Sequence, residues 1–475
     1  MSSTRVDFIV LIQFKKCSMR KKWFISVCIL FYSSIAFSQT LSVEEMHEDV
    51  IYYFTTLKNE NCDLYAKYSL LQFDSIQKDI LAHINIDMSI LDFNRILLTL
   101  NQYTDGHTGI DREKLYWERK DLNCIMPFSI QNDSAFIDDN SLVVKINGKE
   151  INGLVAEIRK SCSWEDNRKA VEEDIKRYMP FYLSAFYNIY PPYCIESRNI
   201  ITNELYSDSL NLKRIKIFDK PYGLETYEKD SIAIFYYTTC KLHFVRNEFE
   251  KMLPIIFSHL EKLNIKYLFI NIAQNGGGSD EFNELIFRYL NSEEYKGYSF
   301  CKLNKSKIPV IWERELSKLN SVKRFLATKL NASNMENSLK TGVLYNKMKF
   351  KGNKKGFNGL VFLIQSSCTY SAAVDFSTQF KLRNMGIVVG EECGEPVVFS
   401  ANWFNSVLPN SKIRFKYSTS KSWYEPNVIT TNGFLQPDIK YDLGGRRVLL
   451  LNDYKEIIER SRSFFHNMNV IQYDK

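Results

Sequence analysis

The chain is predicted to be an α/β protein, with a buried parallel-sheet core behind a helical N-terminal region and a short β-rich segment between the two. Two near-continuous apolar runs, Tyr267 to Ile272 and Gly359 to Gln365, have the length of strands covered on both faces, and helical spacing lies beside each. Composition points the same way. Of 475 residues, 45% are hydrophobic and 14% aromatic, with only 19 Gly and 11 Pro, so packed elements joined by short loops are expected and collagen-like or disordered classes are excluded. A chain of this length buries large cores without metal or disulfide staples.

The elements follow in order. Residues 1–38 carry a net charge of +5, from six basic residues against Asp7. Met19-Arg20-Lys21-Lys22 runs into the apolar segment Trp23 to Phe37, then Ser38 before Gln39. A basic start, an apolar middle and a small-residue end make a signal peptide. Met19 is read as the true start and the first 18 residues as spurious, and no stable membrane span is expected after cleavage. The mature chain is therefore expected to be exported, to a periplasmic or extracellular location. Eight of the ten cysteines remain after that cleavage, with no CxxC pair, too sparse for a disulfide scaffold. With six His and no HExxH, no metal site or cofactor is expected.

The region 39–115 reads as helical and carries a histidine loop. Ser42-Val43-Glu44-Glu45 is a capping box. Further helical stretches cover Leu64 to His83 and Ile90 to Leu100, before the loop Asp105-Gly106-His107-Thr108-Gly109. A connecting segment, 116–200, holds a hairpin around Asn147-Gly148 and a charged helical stretch from Gly153 to Tyr178. The core is placed at 201–445 and a C-terminal helix at 446–475. Within the core, 302–355 carries 14 Lys/Arg against three acids, and reads as a solvated surface insertion rather than a nucleic-acid site because aromatics are not interleaved for stacking.

Three places carry possible chemistry. After the first buried strand comes Ala273-Gln274-Asn275-Gly276-Gly277-Gly278, where backbone N–H groups can approach a ligand closely, although a glycine run is also an ordinary turn. After the second, Ser366-Ser367-Cys368-Thr369-Tyr370 leads to Ser371-Ala372-Ala373 at the start of a helix. Ser371 there is either an N-cap or an exposed hydroxyl beside a free N–H at the positive end of the helix. A serine nucleophile needs a base, and His107, in its glycine-flanked loop, is the best placed of the histidines. The competing reading of His107 is an ordinary turn residue.

Together these pieces resemble the tail-specific, or C-terminal processing, serine protease family, and within it the branch similar to the tricorn core and the interphotoreceptor retinoid-binding protein. The resemblance spans about residues 85–445 and rests on DGHTG at 105–109, YLFINIAQNGGG at 267–278, LVFLIQSSCTYSAAVDF at 360–376, GIVVGEECGE at 386–395 and NGFLQPDI at 432–439. It implies an α/β core like those of the Clp protease and crotonase folds, an N-terminal helical region, and a degenerate PDZ-like β segment whose closing part resembles Val143 to Gly148. It further implies Ser371 as nucleophile and His107 as base, with the oxyanion held by the backbone N–H of Ala372 and of Gly276 or Gly277. The lysine of the processing branch is absent, its place being read here as Cys393-Gly394-Glu395-Pro396. The DxRxNxGG pattern has Asn271 and Ala273 at its acidic and basic positions. Where the tricorn-like branch places a glutamate, this chain has Thr430 and Thr431, and Glu425 is the nearest acid and the candidate orienter of His107. The expected function is an exported serine endopeptidase acting on polypeptide. The alternative is a degenerate relative that binds a peptide or lipophilic ligand without cleaving it. Activity carried by an unperturbed histidine falls as pH drops through about 6.5.

Overall fold

The computed structural model describes residues 40–111, 124–131, 133–304, 340–426 and 430–473, with single residues at 313 and 428. The leader and the centre of the basic insertion lie outside the described residues. Among the described residues no helix is long and apolar enough to cross a membrane.

The N-terminal region holds α1 (Val43–Glu60), α2 (Leu70–His83) and α3 (Ile90–Leu98). Ser42 and Glu45 close the capping box on α1, and each of the next two helices starts at a serine cap, Ser69 or Ser89. The Ser69 cap is why α2 begins later than apolar spacing alone suggests. A short strand, β1 (Gly109–Ile110), leaves the histidine loop. The connecting segment folds as strands β2 (Ser129–Gln131), β3 (Ser134–Asp138) and β4 (Ser141–Ile146), helices α4 (Ile151–Arg159) and α5 (Arg168–Tyr187), and strands β5 (Tyr193–Asn199) and β6 (Leu205–Leu210). The sheet order is β6-β5-β4-β3-β2. Two findings differ from the sequence reading. Its single charged helix is two, because the Asn167 side chain accepts the Ala170 N–H and caps a new helix after a turn. The β-sheet also runs past residue 200, since β6 pairs with β5 over Leu205 to Leu210.

The core contains β7 (Tyr222–Tyr227), β8 (Ile232–Tyr237), α6 (Arg246–Lys262), β9 (Tyr267–Asn271), α7 (Glu281–Phe287), β10 (Tyr295–Leu303), β11 (Val343–Phe350), β12 (Leu360–Gln365), α8 (Ala372–Leu382) and β13 (Ile387–Gly390). It continues through β14 (Phe399–Ala401), β15 (Phe404–Val407), β16 (Arg414–Tyr417), β17 (Ser420–Glu425), β18 (Ile439–Lys440) and α9 (Leu451–Tyr473). The central sheet runs β7-β8-β9-β12-β13-β18, parallel from β8 onward. Side chains alternate between its faces. Phe235, Leu268 and Leu363 pack with α6, α7 and α8, whereas Ile234, Phe269 and Phe362 meet Tyr454 and Ile457 of α9. Covered on both sides, β8 is buried throughout, which explains the unbroken apolar runs.

The basic insertion leaves and returns through β10 and β11, which pair antiparallel from Tyr295↔Phe350 to Lys302↔Val343. In the central sheet, β9, β12 and β13 are parallel neighbours, so the glycine turn, Ser371 and residues 391–395 all emerge at the carboxyl ends of the strands. Those ends are where α/β sheets place their ligand sites.

Candidate active site

Each candidate side chain is fixed by a local device. Asp105 builds the histidine turn. Its Oδ1 accepts the His107 N–H at 2.9 Å, and its Oδ2 accepts from Asn61, Thr108 and Ser418 at 2.8–3.0 Å. The Thr108 N–H closes the turn onto the Asp105 carbonyl at 3.0 Å. β1 then pairs with β16, Lys416 opposite Gly109, which ties the loop to the core. Glycine is required at 106 because a Cβ there would lie 1.7 Å from the Tyr370 hydroxyl.

Ser371 stands at the strand-to-helix corner with φ +54° and ψ −126°. A non-glycine residue in that region is strained by roughly 1–3 kcal/mol and persists only where its surroundings impose it. The chain runs sharply through this point, presenting the hydroxyl ahead of α8. Across 264 residues of sequence, His107 Nε2 comes within 3.2 Å of Ser371 Oγ.

Behind the imidazole lies an acid that sequence reasoning missed. The carboxylate of Glu395 is fully buried, its Oε2 faces His107 Nδ1 at 3.6 Å, beyond hydrogen-bond length, and neither of those two atoms has a hydrogen-bond partner among the described residues. Its other oxygen, Oε1, accepts the Ser371 N–H. One carboxylate thus faces the histidine and holds the strained serine backbone. The signal was present: Glu395 belongs to GIVVGEECGE and follows β13, the parallel neighbour of the serine strand, at the position where the processing branch has its lysine. Glu425, the acid nearest in sequence to the tricorn-like position, stands elsewhere. It ends β17, is exposed, and accepts the Trp423 indole N–H at 3.1 Å. It lies in a different sheet, on a strand between β10 and β14, whereas the strand order of the parallel sheet places Glu395 beside the corner.

The candidate oxyanion donors separate as well. Ala372 opens α8, so its N–H has no acceptor within the helix. Gly277 approaches closely, since a Cβ on it would lie 2.6 Å from Ser371 Cβ and 3.0 Å from the Ala372 nitrogen. Its N–H is already spent on Asn275 Oδ1 at 2.9 Å. Gly276 and Ala372 are the pair with N–H groups uncommitted among the described residues. Gly277→Ala, which adds that clash at φ +89°, should lower activity about 10²-fold through displacement of Ser371. Gly276→Ala meets nothing within 4 Å and should retain activity, as steady-state assays of the two variants will show.

Asn271, at the acidic position of the DxRxNxGG pattern, makes neutral bonds instead. Its side chain accepts the Ala273 N–H at 3.0 Å and donates to the Arg447 carbonyl at 3.1 Å, so the strand end keeps its shape without an aspartate. Electrostatics follow from burial. Desolvation, with Lys416 adding to it, lowers the His107 imidazole to about 3, leaving it uncharged at neutral pH. Desolvation also raises the Glu395 carboxyl well above the ordinary range, with Glu165 contributing and the Ser371 N–H opposing. No group of metal-ligating side chains occurs among the described residues.

No family model matches the chain, and no curated protein matches it in sequence. Solved structures do match. Mature CPAF superposes with a TM-score of 0.59 at 12% identity, covering 88% of this chain and 96% of that one. Its complex with lactacystin gives 0.58 at 11%, covering 88% and 97%. A CPAF serine-to-alanine mutant also gives 0.58 at 11%, covering 85% and 94%. The chain has the fold of mature CPAF, an α/β architecture of the kind that the resemblance to tail-specific proteases implies.

Proposed function

We propose that the protein is a serine endopeptidase that cleaves extended polypeptide through an acyl-enzyme. The observation that carries this reading is the 3.2 Å contact between Ser371 Oγ and His107 Nε2, backed by buried Glu395 at the opposite ring nitrogen. With the Glu395 carboxylate facing Nδ1 at 3.6 Å, the neutral imidazole keeps its proton on Nδ1 and presents the Nε2 lone pair to Ser371. As Oγ attacks the scissile carbonyl carbon, its proton passes to Nε2. The developing oxyanion is met by the N–H groups of Ala372 and Gly276, and loss of one such donor costs about 10²–10³ in rate. The imidazolium returns the proton to the leaving amine, and water reverses the sequence to free the enzyme. A protein that only binds its ligand has no need of this aligned, strained serine, so the contact favours hydrolysis over the binding-only reading.

The test is covalent labelling by a peptidyl diphenyl phosphonate, with lactacystin, a ligand of mature CPAF, as a second probe. Labelling of Ser371 that disappears in Ser371→Ala is expected. Absence of any labelling in folded protein would sink the hydrolase reading and leave ligand binding.

The protein is further proposed to act outside the cytoplasm, because Met19 to Ser38 has signal-peptide anatomy. N-terminal sequencing of the exported fraction should begin near Gln39. A sequence retaining Trp23 there would rule the leader out.

A further inference from the structure

Five residues outside the sheet that carries Ser371 touch every segment that contributes to the pair and its acid. They form the turn Ser163 to Asn167, between α4 and α5. Ser163 Oγ donates to the Thr104 carbonyl at 2.9 Å, and Glu165 Oε2 accepts the Gly106 N–H at 3.2 Å, so the turn grips the histidine loop on both sides. Asp166 Oδ1 accepts the Tyr370 hydroxyl at 2.8 Å, reaching the residue before Ser371. The Asn167 N–H donates to the Gly394 carbonyl at 3.0 Å and its side-chain amide to the Cys393 carbonyl, which fixes the residues before Glu395. The turn is internally braced, Ser163 Oγ accepting the Glu165 N–H at 3.0 Å and Asp166 Oδ2 the Ser163 N–H at 3.2 Å. Glu165 is almost wholly buried.

Three consecutive side chains therefore reach three chain segments that are remote from one another in sequence. We propose that Glu165, Asp166 and Asn167 are positioning residues that set the mutual placement of His107, Ser371 and Glu395. This deepens the hydrolase reading and rests on it for the kinetic arm of its test. Burial, with Asp105 adding to it, raises the Glu165 carboxyl to about 8, opposed by the Lys421 ammonium 3.6 Å from Oε1, and glutamine keeps an oxygen to accept the Gly106 N–H.

The test compares Glu165→Ala with Glu165→Gln, using fluorescent casein as substrate. The alanine variant should lose about 10²-fold in kcat with KM unchanged, the cost of a misplacement near 1 Å, and glutamine should restore most of it. Where Glu165→Ala does not fold, Tyr370→Phe decides, because it removes only the hydroxyl that Asp166 holds. A second readout does not depend on hydrolysis. The imidazole resonances of His107, assigned by their loss in His107→Ala, should move in Glu165→Ala or Tyr370→Phe and stay in place in Glu165→Gln. Unmoved resonances in both disruptive variants overturn the proposal, as does an equal loss of kcat in alanine and glutamine. If wild-type protein neither labels with phosphonate nor cleaves casein, the hydrolase reading fails alone, and the resonances still decide the placement.

Discussion

Ser371→Ala and His107→Ala are each expected to lower kcat on the order of 10⁶-fold, and the double variant only slightly further, because nucleophile and base act as one unit. The reason is the geometry of one contact: Oγ has a single base at 3.2 Å, and its removal leaves the hydroxyl a poor nucleophile at neutral pH. Both variants should remain folded. Ser371→Ala keeps the backbone N–H that Glu395 holds, and the histidine turn is built by the Asp105 carboxylate rather than by the imidazole. Steady-state kinetics with a matched thermal melt checks both statements. Full activity in Ser371→Ala, in a preparation free of other proteases, would falsify the mechanism. Two of the neighbouring hydroxyls are committed elsewhere, as Ser366 Oγ donates to the Ala273 carbonyl and Thr369 Oγ1 to that of Ile272 at 3.1 Å.

Glu395→Gln should be the next most damaging change, with kcat falling about 10⁴-fold, as when the orienting acid of a Ser-His-acid triad is made an amide. Glu425→Gln, by contrast, alters the exposed last residue of β17 and should leave kcat near wild type. The pH dependence separates the two groups that could titrate. His107, lowered to about 3, is uncharged through the neutral range and contributes no loss of activity near 6.5. Glu395 is raised by burial, so it keeps its proton to a higher pH than a free carboxyl, and catalysis requires its ionised form to hold the Nδ1 proton. Activity should therefore rise with pH through the raised Glu395 value and fall as pH drops back through it. The residual activity of Glu395→Gln should lack that limb. A profile of kcat/KM in both proteins is the measurement, and an acid limb that survives unchanged in Glu395→Gln would return the titration to His107.

Much of the fold is legible in the sequence because parallel strands covered on both faces are near-continuously apolar, as β8 and the first four residues of β9 are. The helix starts are legible for a similarly local reason, since a serine with its carboxylate three residues on satisfies N–H groups within one turn. Local chemistry also marks Ser371, at a corner after a buried strand, and His107, between two glycines. Each glycine has its own cause that only packing shows. Gly106 yields space to the Tyr370 hydroxyl, and Gly277 to Ser371 itself.

What the sequence by itself determined is therefore the α/β class, the buried core strands with the helices beside them, and the two residue types that can form a serine–base pair. The tertiary structure alone decided which acid stands behind His107, which glycine N–H is free, and what holds the parts in place. Glu395 and Glu425 are both acids downstream of Ser371, and no rule of periodicity ranks them. Their difference arises because β13 lies beside β12 in the parallel sheet and delivers Glu395 to the serine corner, whereas β17 pairs with β10 in another sheet. The turn at 163–167 is equally silent in sequence. Its contacts reach 59 residues back to Gly106, 204 forward to Tyr370 and 226 forward to Cys393, and hydrogen bonds over such separations are set by how sheets and helices pack, not by the neighbours of each residue along the chain.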